Sequence, residues 1–174
     1  LMTSPAAIFL CVIAVSPALL ANPHSTVEIV ASNHNAALKI EANVAFTEGP
    51  AWHEPTGAVF FTDFVNNRIM RRNVKGAAEV YRSPSGGANG LAFDHQNNLI
   101  ACESGPENRR ITRTEPDGSI TVLTDKYQGN RYNSPNDLAV DSGGAIYFTD
   151  PRYGAPTDMQ IRATDGTAIE GVYR

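Results

Sequence analysis

Three oxygen-bearing side chains, Glu48, Asn89 and Asn136, each open a stretch of sequence with the same pattern, and the stretches begin about 40 to 50 residues apart. Carboxylate and amide oxygens are the hard ligands that Ca²⁺ prefers, and Mg²⁺, Mn²⁺ and Zn²⁺ accept them with lower preference. The same residue types also form turns, in which the side chain satisfies nearby backbone groups. From residue types alone, these positions predict either a divalent-cation site or a set of turn formers.

The three stretches predict β-hairpins that would position these side chains. Each passes through a short apolar strand, turns on Gly or Asn, and continues as a β-rich strand that ends in a carboxylate. The stretches are 48–63, 89–103 and 136–150. Their final residues, Asp63, Glu103 and Asp150, either support the opening residues or belong to turns and loops, and for Asp63 we favour the turn.

Further strands are predicted between the hairpins, at 69–74, 78–81, 110–115 and 120–124, and Pro116-Asp117-Gly118 is predicted to turn between the last two. Several short strands in each period are typical of a β-propeller, in which every blade is a small sheet around a central channel. The innermost strand of a blade lines that channel. The sequence therefore predicts an all-β propeller in which the three opening side chains point toward one axis.

Length and composition limit this prediction. Residues 22–174 hold a little over three such periods, whereas closed propellers have about four to eight blades. We therefore expect this chain to cover about the first three blades, as an incomplete ring. Apolar residues make up 42% of the chain, which is enough for a core, and the net charge of −4 without a Lys/Arg run excludes a nucleic-acid-binding surface.

The first 21 residues are predicted to be a secretion signal, because an apolar run interrupted by Pro17 is typical of signals rather than of membrane spans. A membrane-tethered N-terminus is the alternative. We expect residues 22–174 to form the propeller domain of a secreted or periplasmic protein, with no stable membrane span once the signal is removed. Cys102 lacks a base partner in the sequence and is predicted to be buried and structural.

Three motifs in order resemble the SMP-30/gluconolactonase/LRE family, which includes the regucalcin-like lactonases. They are Phe46-Thr-Glu-Gly-Pro-Ala-Trp52, then Asn89-Gly-Leu-Ala-Phe-Asp94 followed by Cys102-Glu103 and Arg109-Arg110, and Asn133-Ser-Pro-Asn-Asp-Leu138 leading into Ile146-Tyr-Phe-Thr-Asp-Pro-Arg-Tyr-Gly154. The resemblance implies a six-bladed propeller with one divalent cation on its axis, most readily Ca²⁺, held by a Glu, an Asn and an Asp.

The resemblance also assigns site residues. The Glu and Asn ligands fall on Glu48 and Asn136, and the substrate contacts fall on Asn89 and, less directly, on Glu103 and Arg109 or its neighbour Arg110. The family's Asp ligand, to which the general-base role is usually given, would lie in a Pro-Asp-Gly motif of a later blade. The Pro116-Asp117-Gly118 turn lies between the second and third repeats and does not match that position, so no general base is assigned.

The implied activity is the metal-dependent hydrolysis of a small-molecule sugar lactone such as gluconolactone. With one expected ligand unassigned, we expect the 174-residue chain alone to have no appreciable activity. Two alternatives stay open at this point: a propeller that binds a partner without catalysis, and a strictosidine-synthase-like enzyme that shares the architecture but not the metal ligands.

Smaller predictions concern side chains outside this set. His53 and His95 are predicted to be solvent-exposed on turns. Trp52, Phe93 and Val140 recur at one repeat position and are predicted to pack between blades.

Overall fold

The repeated hairpins form antiparallel sheets in the computed structural model, which describes residues 42, 44–153 and 159–174. The predicted secretion signal lies outside the described residues. All of the described residues belong to one compact unit, Glu41–Arg174.

Sheet 1 and sheet 2 each contain four strands in sequential order. Sheet 1 consists of β1 (Thr47–His53), β2 (Ala58–Asp63), β3 (Arg68–Asn73) and β4 (Glu79–Arg82). Sheet 2 consists of β5 (Ala88–Phe93), β6 (Leu99–Glu103), β7 (Arg110–Thr114) and β8 (Ile120–Thr124). Apart from a single 3₁₀ turn at Glu54–Thr56, the described residues contain no helix.

The third hairpin forms sheet 3, which has three strands within the described residues. These are β11 (Leu138–Val140), β12 (Ile146–Asp150) and β13 (Gly171–Tyr173). A separate two-stranded ribbon, β9 (Lys126–Tyr127) and β10 (Asn130–Arg131), precedes it. The predicted all-β architecture of antiparallel hairpins is confirmed, and the ribbon is an element that the repeat pattern did not predict.

The Pro116-Asp117-Gly118 segment joins β7 and β8, as predicted. Gly118 adopts a φ of +84°, which glycine reaches without the steric cost of a Cβ. The Asp117 carboxylate accepts hydrogen bonds from the backbone N–H and the hydroxyl of Ser119, at 2.9 and 2.6 Å. This exposed Asp is therefore occupied in stabilising its own turn.

Strand β6 connects the two apolar cores because alternate side chains of a strand point to opposite faces. Leu99 and Ala101 belong to the core that also contains residues of sheet 1, and Ile100 and Cys102 belong to the core that also contains Phe148 of sheet 3. A continuous apolar run is typical of a strand buried on both faces.

Cys102 is completely buried and makes no disulfide, which confirms its predicted structural character. Burial, followed by the negative charges of Asp137 and Asp150, raises the pKa of its thiol well above the ordinary value. The thiol therefore stays protonated and unreactive near neutral pH.

The recurring apolar position behaves differently in the first two repeats. Phe93 packs against Phe60 across the two sheets, with ring centroids 5.2 Å apart, which confirms the predicted contact. Trp52 is 41% exposed, and its packing between blades stays a prediction. His53 was predicted to be solvent-exposed, but its ring is half-buried at the end of β1 and lies 4.5 Å from the Phe93 ring. His95 is exposed, as predicted.

Candidate cation and substrate site

Two glycines allow the first strands of the three sheets to approach one another at the level of the predicted site. A Cβ on Gly49 would lie 2.8 Å from the Cα of Gly90, and a Cβ on Gly90 would lie 2.6 Å from the carbonyl oxygen of Asn136. The Gly90 N–H donates to that same oxygen at 2.7 Å. This backbone contact places the residues before each glycine, Glu48 and Asn89, in neighbouring strands beside Asn136.

The first two hairpins each contain a bulge next to the opening residue. The register of β1 against β2 shifts between Glu48 and Ala51, and that of β5 against β6 shifts between Ala88 and Leu91. A bulge interrupts strict alternation and redirects the side chains beside it. The opening residues of the first two repeats therefore lie where the regular inward and outward pattern is broken.

The side chains of Glu48, Asn89 and Asn136 are all half-buried, and none makes a hydrogen bond to another described residue. A turn-forming Asn or Glu would instead bond to nearby backbone groups, as Asp117 does. Their backbones are held nonetheless: the Thr62 hydroxyl donates to the carbonyl of Asn89 at 3.1 Å, and the Asn136 N–H donates to the carbonyl of Thr149 at 2.8 Å.

Glu48 lies in a negative environment. Partial burial, followed by the charge of Asp137, raises its pKa above the ordinary value. Within the part of the chain that the structure describes, neither the Glu48 carboxylate nor the Asp137 carboxylate forms an ion pair with Arg, Lys or His. Two carboxylates near each other without a protein cation form an arrangement that a bound cation would stabilise.

Glu103, predicted to contact substrate, is 1% exposed and fully engaged within the protein. One carboxylate oxygen accepts hydrogen bonds from Arg82 Nη2 at 2.6 Å and from the Thr112 hydroxyl at 2.9 Å, and the other accepts one from Arg110 Nε at 2.7 Å. These contacts assign Glu103 a structural role that ties sheet 1 to sheet 2. Its contact with substrate stays a prediction that this geometry disfavours.

The contacts of Glu103 also distinguish the two arginines that were predicted as alternative substrate contacts. Arg110 is committed to Glu103, whereas Arg109 lies in the loop between β6 and β7 with a φ of +48°. The charge of Arg109 acts to lower the pKa of Asp150. Arg110 is therefore better explained as a structural residue, and the substrate contact of Arg109 stays a prediction.

Asp150 supports the third opening residue, a role that the repeat pattern left undecided. Its two carboxylate oxygens accept the backbone N–H groups of Asn133 and Ser134, at 2.8 and 2.7 Å. The carboxylate is completely buried, and this burial raises its pKa even though the two hydrogen bonds act to lower it. Asp150 thus anchors the segment that leads directly into Asn136.

Asp63 has an analogous position at the end of β2. It is completely buried, and its Oδ2 accepts hydrogen bonds from Asn66 Nδ2 and Arg68 Nε, both at 2.9 Å. Burial acts to raise its pKa, but these two side chains outweigh it and the pKa is lowered. The recurrence of a carboxylate at this place was visible in the sequence, but its buried anchoring role was not.

Residues 46–174 match the model of the SMP-30/Gluconolactonase/LRE-like region. The chain belongs to this family. It is 30% identical over 149 residues to a gluconolactonase from Zymomonas mobilis, a match that covers 78% of this chain and 41% of that protein. This member of the SMP-30/gluconolactonase family therefore spans less than half the length of the curated relative it matches.

Solved structures give the same relationship. A gluconolactonase from Xanthomonas campestris is 36% identical with a TM-score of 0.60, covering 74% of this chain and 40% of that one. Regucalcin from Agrobacterium tumefaciens is 16% identical with a TM-score of 0.50, covering 66% and 41%, and this likeness concerns the fold alone.

Two features are absent from residues 42, 44–153 and 159–174. No group of three or more His, Cys, Asp or Glu side chains in these ranges is arranged to hold a metal ion, and the predicted ligand pair, which includes an amide, is not such a group. No helix among the same residues is long and apolar enough to cross a membrane.

Proposed function

We propose that the protein hydrolyses a sugar lactone, such as gluconolactone, at a divalent cation bound by Glu48 and Asn136. Membership of the family and identities of 30% and 36% to gluconolactonases support a lactonase. We further propose that sheets 1, 2 and 3 are three blades of a six-bladed propeller whose channel the opening residues line.

The observation that carries the proposal is the unused bonding capacity of the opening residues. Glu48, Asn89 and Asn136 are brought side by side by close backbone contacts, yet their side chains bond to no described residue. Preorganised polar groups without protein partners are what a ligand site requires. This arrangement favours the cation site over the turn-forming alternative.

The chemistry of these groups fits a hard cation. Glu48 offers carboxylate oxygens and Asn136 offers an amide oxygen, which are ligand types that Ca²⁺ takes. We therefore propose Ca²⁺ first, with Mg²⁺, Mn²⁺ or Zn²⁺ as alternatives.

The reaction adds water across the ring ester of the lactone, breaking the acyl carbon–oxygen bond and producing an open hydroxy acid. A bound divalent cation supplies Lewis-acid polarisation of the lactone carbonyl and activation of a water molecule. Asn89 can both donate to and accept from sugar hydroxyls through its unpaired amide, and Arg109 is the proposed cationic contact. Asp150 holds the backbone that precedes Asn136, so the ligand stays in place while the substrate binds.

Gluconolactone hydrolysis tests the proposal directly. The full-length product of the reading frame is assayed for acid release at constant pH, with the spontaneous rate subtracted, before and after metal removal by a chelator. We expect turnover to disappear with the metal and to return with Ca²⁺. Unchanged turnover after metal removal, or none in the presence of metal, would contradict the mechanism.

We also propose that the protein is exported, on the basis of the apolar N-terminal segment within residues 1–21. Cell fractionation of a producing strain checks this proposal. Recovery in the periplasm or medium supports export, and retention in the cytoplasm contradicts it.

A further inference from the structure

The third repeat departs from the first two immediately after its opening residue. Gly49 follows Glu48 and Gly90 follows Asn89, but Asp137 follows Asn136. A Cβ on Gly90 would lie 2.6 Å from both the Cα and the Oδ1 of Asp137. The carboxylate of Asp137 therefore occupies the space that the missing side chain of Gly90 leaves beside the opening residues.

The Asp137 carboxylate is exposed and only locally engaged. Its Oδ1 accepts the backbone N–H of Leu138 at 2.9 Å, and its Oδ2 makes no hydrogen bond to a described residue. No ion pair among the described residues neutralises it. One oxygen is thus held in place by the backbone while the other remains available.

The charge of Asp137 acts on residues of the other two sheets. It contributes to raising the pKa of Glu48, which lies on β1 of sheet 1. It also contributes to raising the pKa of Cys102, which lies on β6 of sheet 2. The continuous backbone contact from Gly49 through Gly90 to Asp137 is the geometric basis of this proximity.

We propose that Asp137 is a further residue of the cation site, whose carboxylate strengthens binding of a divalent cation at Glu48 and Asn136. This inference rests on the proposed function. Backbone contact with Gly90 and the Leu138 N–H hold the charge beside the predicted ligands, so the cation gains a second negative charge without reorganisation of the protein.

Line broadening by Mn²⁺ tests this inference without requiring activity. Amide spectra of the ¹⁵N-labelled full-length protein, the form used in the activity assay, are recorded during Mn²⁺ titration, with Gly49, Gly90 and Leu138 as reporters. The variant is Asp137→Asn, which keeps the shape and one acceptor oxygen. The matched control is Asp117→Asn, because Asp117 is also an exposed Asp that accepts a local backbone N–H.

We expect the reporters to broaden selectively in the unmodified chain. In Asp137→Asn the Mn²⁺ concentration for half-broadening should rise about tenfold, as Coulomb attraction between one negative charge and a nearby divalent cation predicts. In Asp117→Asn it should stay unchanged.

The outcomes separate the two proposals. Equal broadening in Asp137→Asn and the unmodified chain overturns the role of Asp137 and leaves the lactonase proposal standing. An equal loss in both variants shows a nonspecific charge effect and also overturns it. Absence of selective broadening in the unmodified chain overturns the cation site together with the inference.

Discussion

Replacing Glu103 by Gln distinguishes a structural carboxylate from a substrate contact. The change keeps the shape of the side chain but removes the negative charge that neutralises Arg82 and Arg110. The Gln amide can face only one of them with an acceptor, so an N–H donor is turned toward the other. The two ion-paired hydrogen bonds, at 2.6 and 2.7 Å, become one hydrogen bond from a charged arginine to a neutral amide oxygen and one unfavourable donor pair.

The expected cost follows from burial. Removing one partner of a buried ion pair typically costs about 3–5 kcal/mol. Because Arg110 is 31% exposed and water compensates part of its charge, we expect about 3 kcal/mol. For a chain of this length that corresponds to a Tm lower by about 10 °C.

The matched control is Glu79→Gln, which makes the same chemical change in the exposed Arg71–Glu79 pair. Surface pairs contribute about 0–1 kcal/mol, so this variant should melt within about 3 °C of the unmodified chain. Both variants are compared by thermal and urea unfolding followed by circular dichroism. If Glu103→Gln is as stable as Glu79→Gln, the structural assignment is refuted, and a raised KM for the lactone in the full-length protein would restore the predicted substrate contact.

Two further predictions concern strand approach and pH. Gly90→Ala forces a Cβ to 2.6 Å from the carbonyl oxygen of Asn136 and should lower the free energy of unfolding by about 2 kcal/mol. The control, Gly143→Ala, should be near neutral because its Cβ meets only a side-chain oxygen at 3.3 Å. Equal urea midpoints for the two variants would contradict the close approach of the strands. Burial, then the charge of Asp150, raises the pKa of Tyr173 from 10 to about 12, so the folded state keeps a proton that the unfolded state loses, and stability should fall as pH rises through that window. The Tyr173 hydroxyl is buried without a described hydrogen-bond partner, so Tyr173→Phe should keep the free energy of unfolding unchanged at pH 7. Above pH 10 the variant should lose less stability than the unmodified protein. Identical profiles of unfolding free energy against pH for the two proteins would refute this reasoning.

The hairpins were predictable because their signals are local. Alternating apolar residues and turn residues define each one, and β8, Ile120–Thr124, has the predicted bounds. Strands β3 and β4 shift from the predicted bounds by one residue at each end, since strand ends depend on pairing with neighbours. The β9–β10 ribbon was missed because each strand has only two residues, too few for a periodic signal.

The role of Glu103 was not predictable, because its partner Arg82 comes from the last strand of the preceding sheet and no local pattern specifies that pairing. The importance of Gly49 and Gly90 was accessible in principle. A glycine directly follows the opening residue in two repeats, and a repeated glycine indicates close backbone approach. The unpaired state of the Asn89 and Asn136 side chains required the structure, since turn formers and ligands share the same residue types.

The central claim, a lactone-hydrolysing cation site at Glu48, is tested most directly by Glu48→Gln in the full-length protein. Bound metal and gluconolactone turnover are measured together, with Glu54→Gln as a control on the exposed 3₁₀ turn that follows β1. Losing one ligand charge should lower metal occupancy and turnover in parallel, by at least tenfold at limiting metal, while the control keeps both. Full metal occupancy and full turnover in Glu48→Gln would contradict the account.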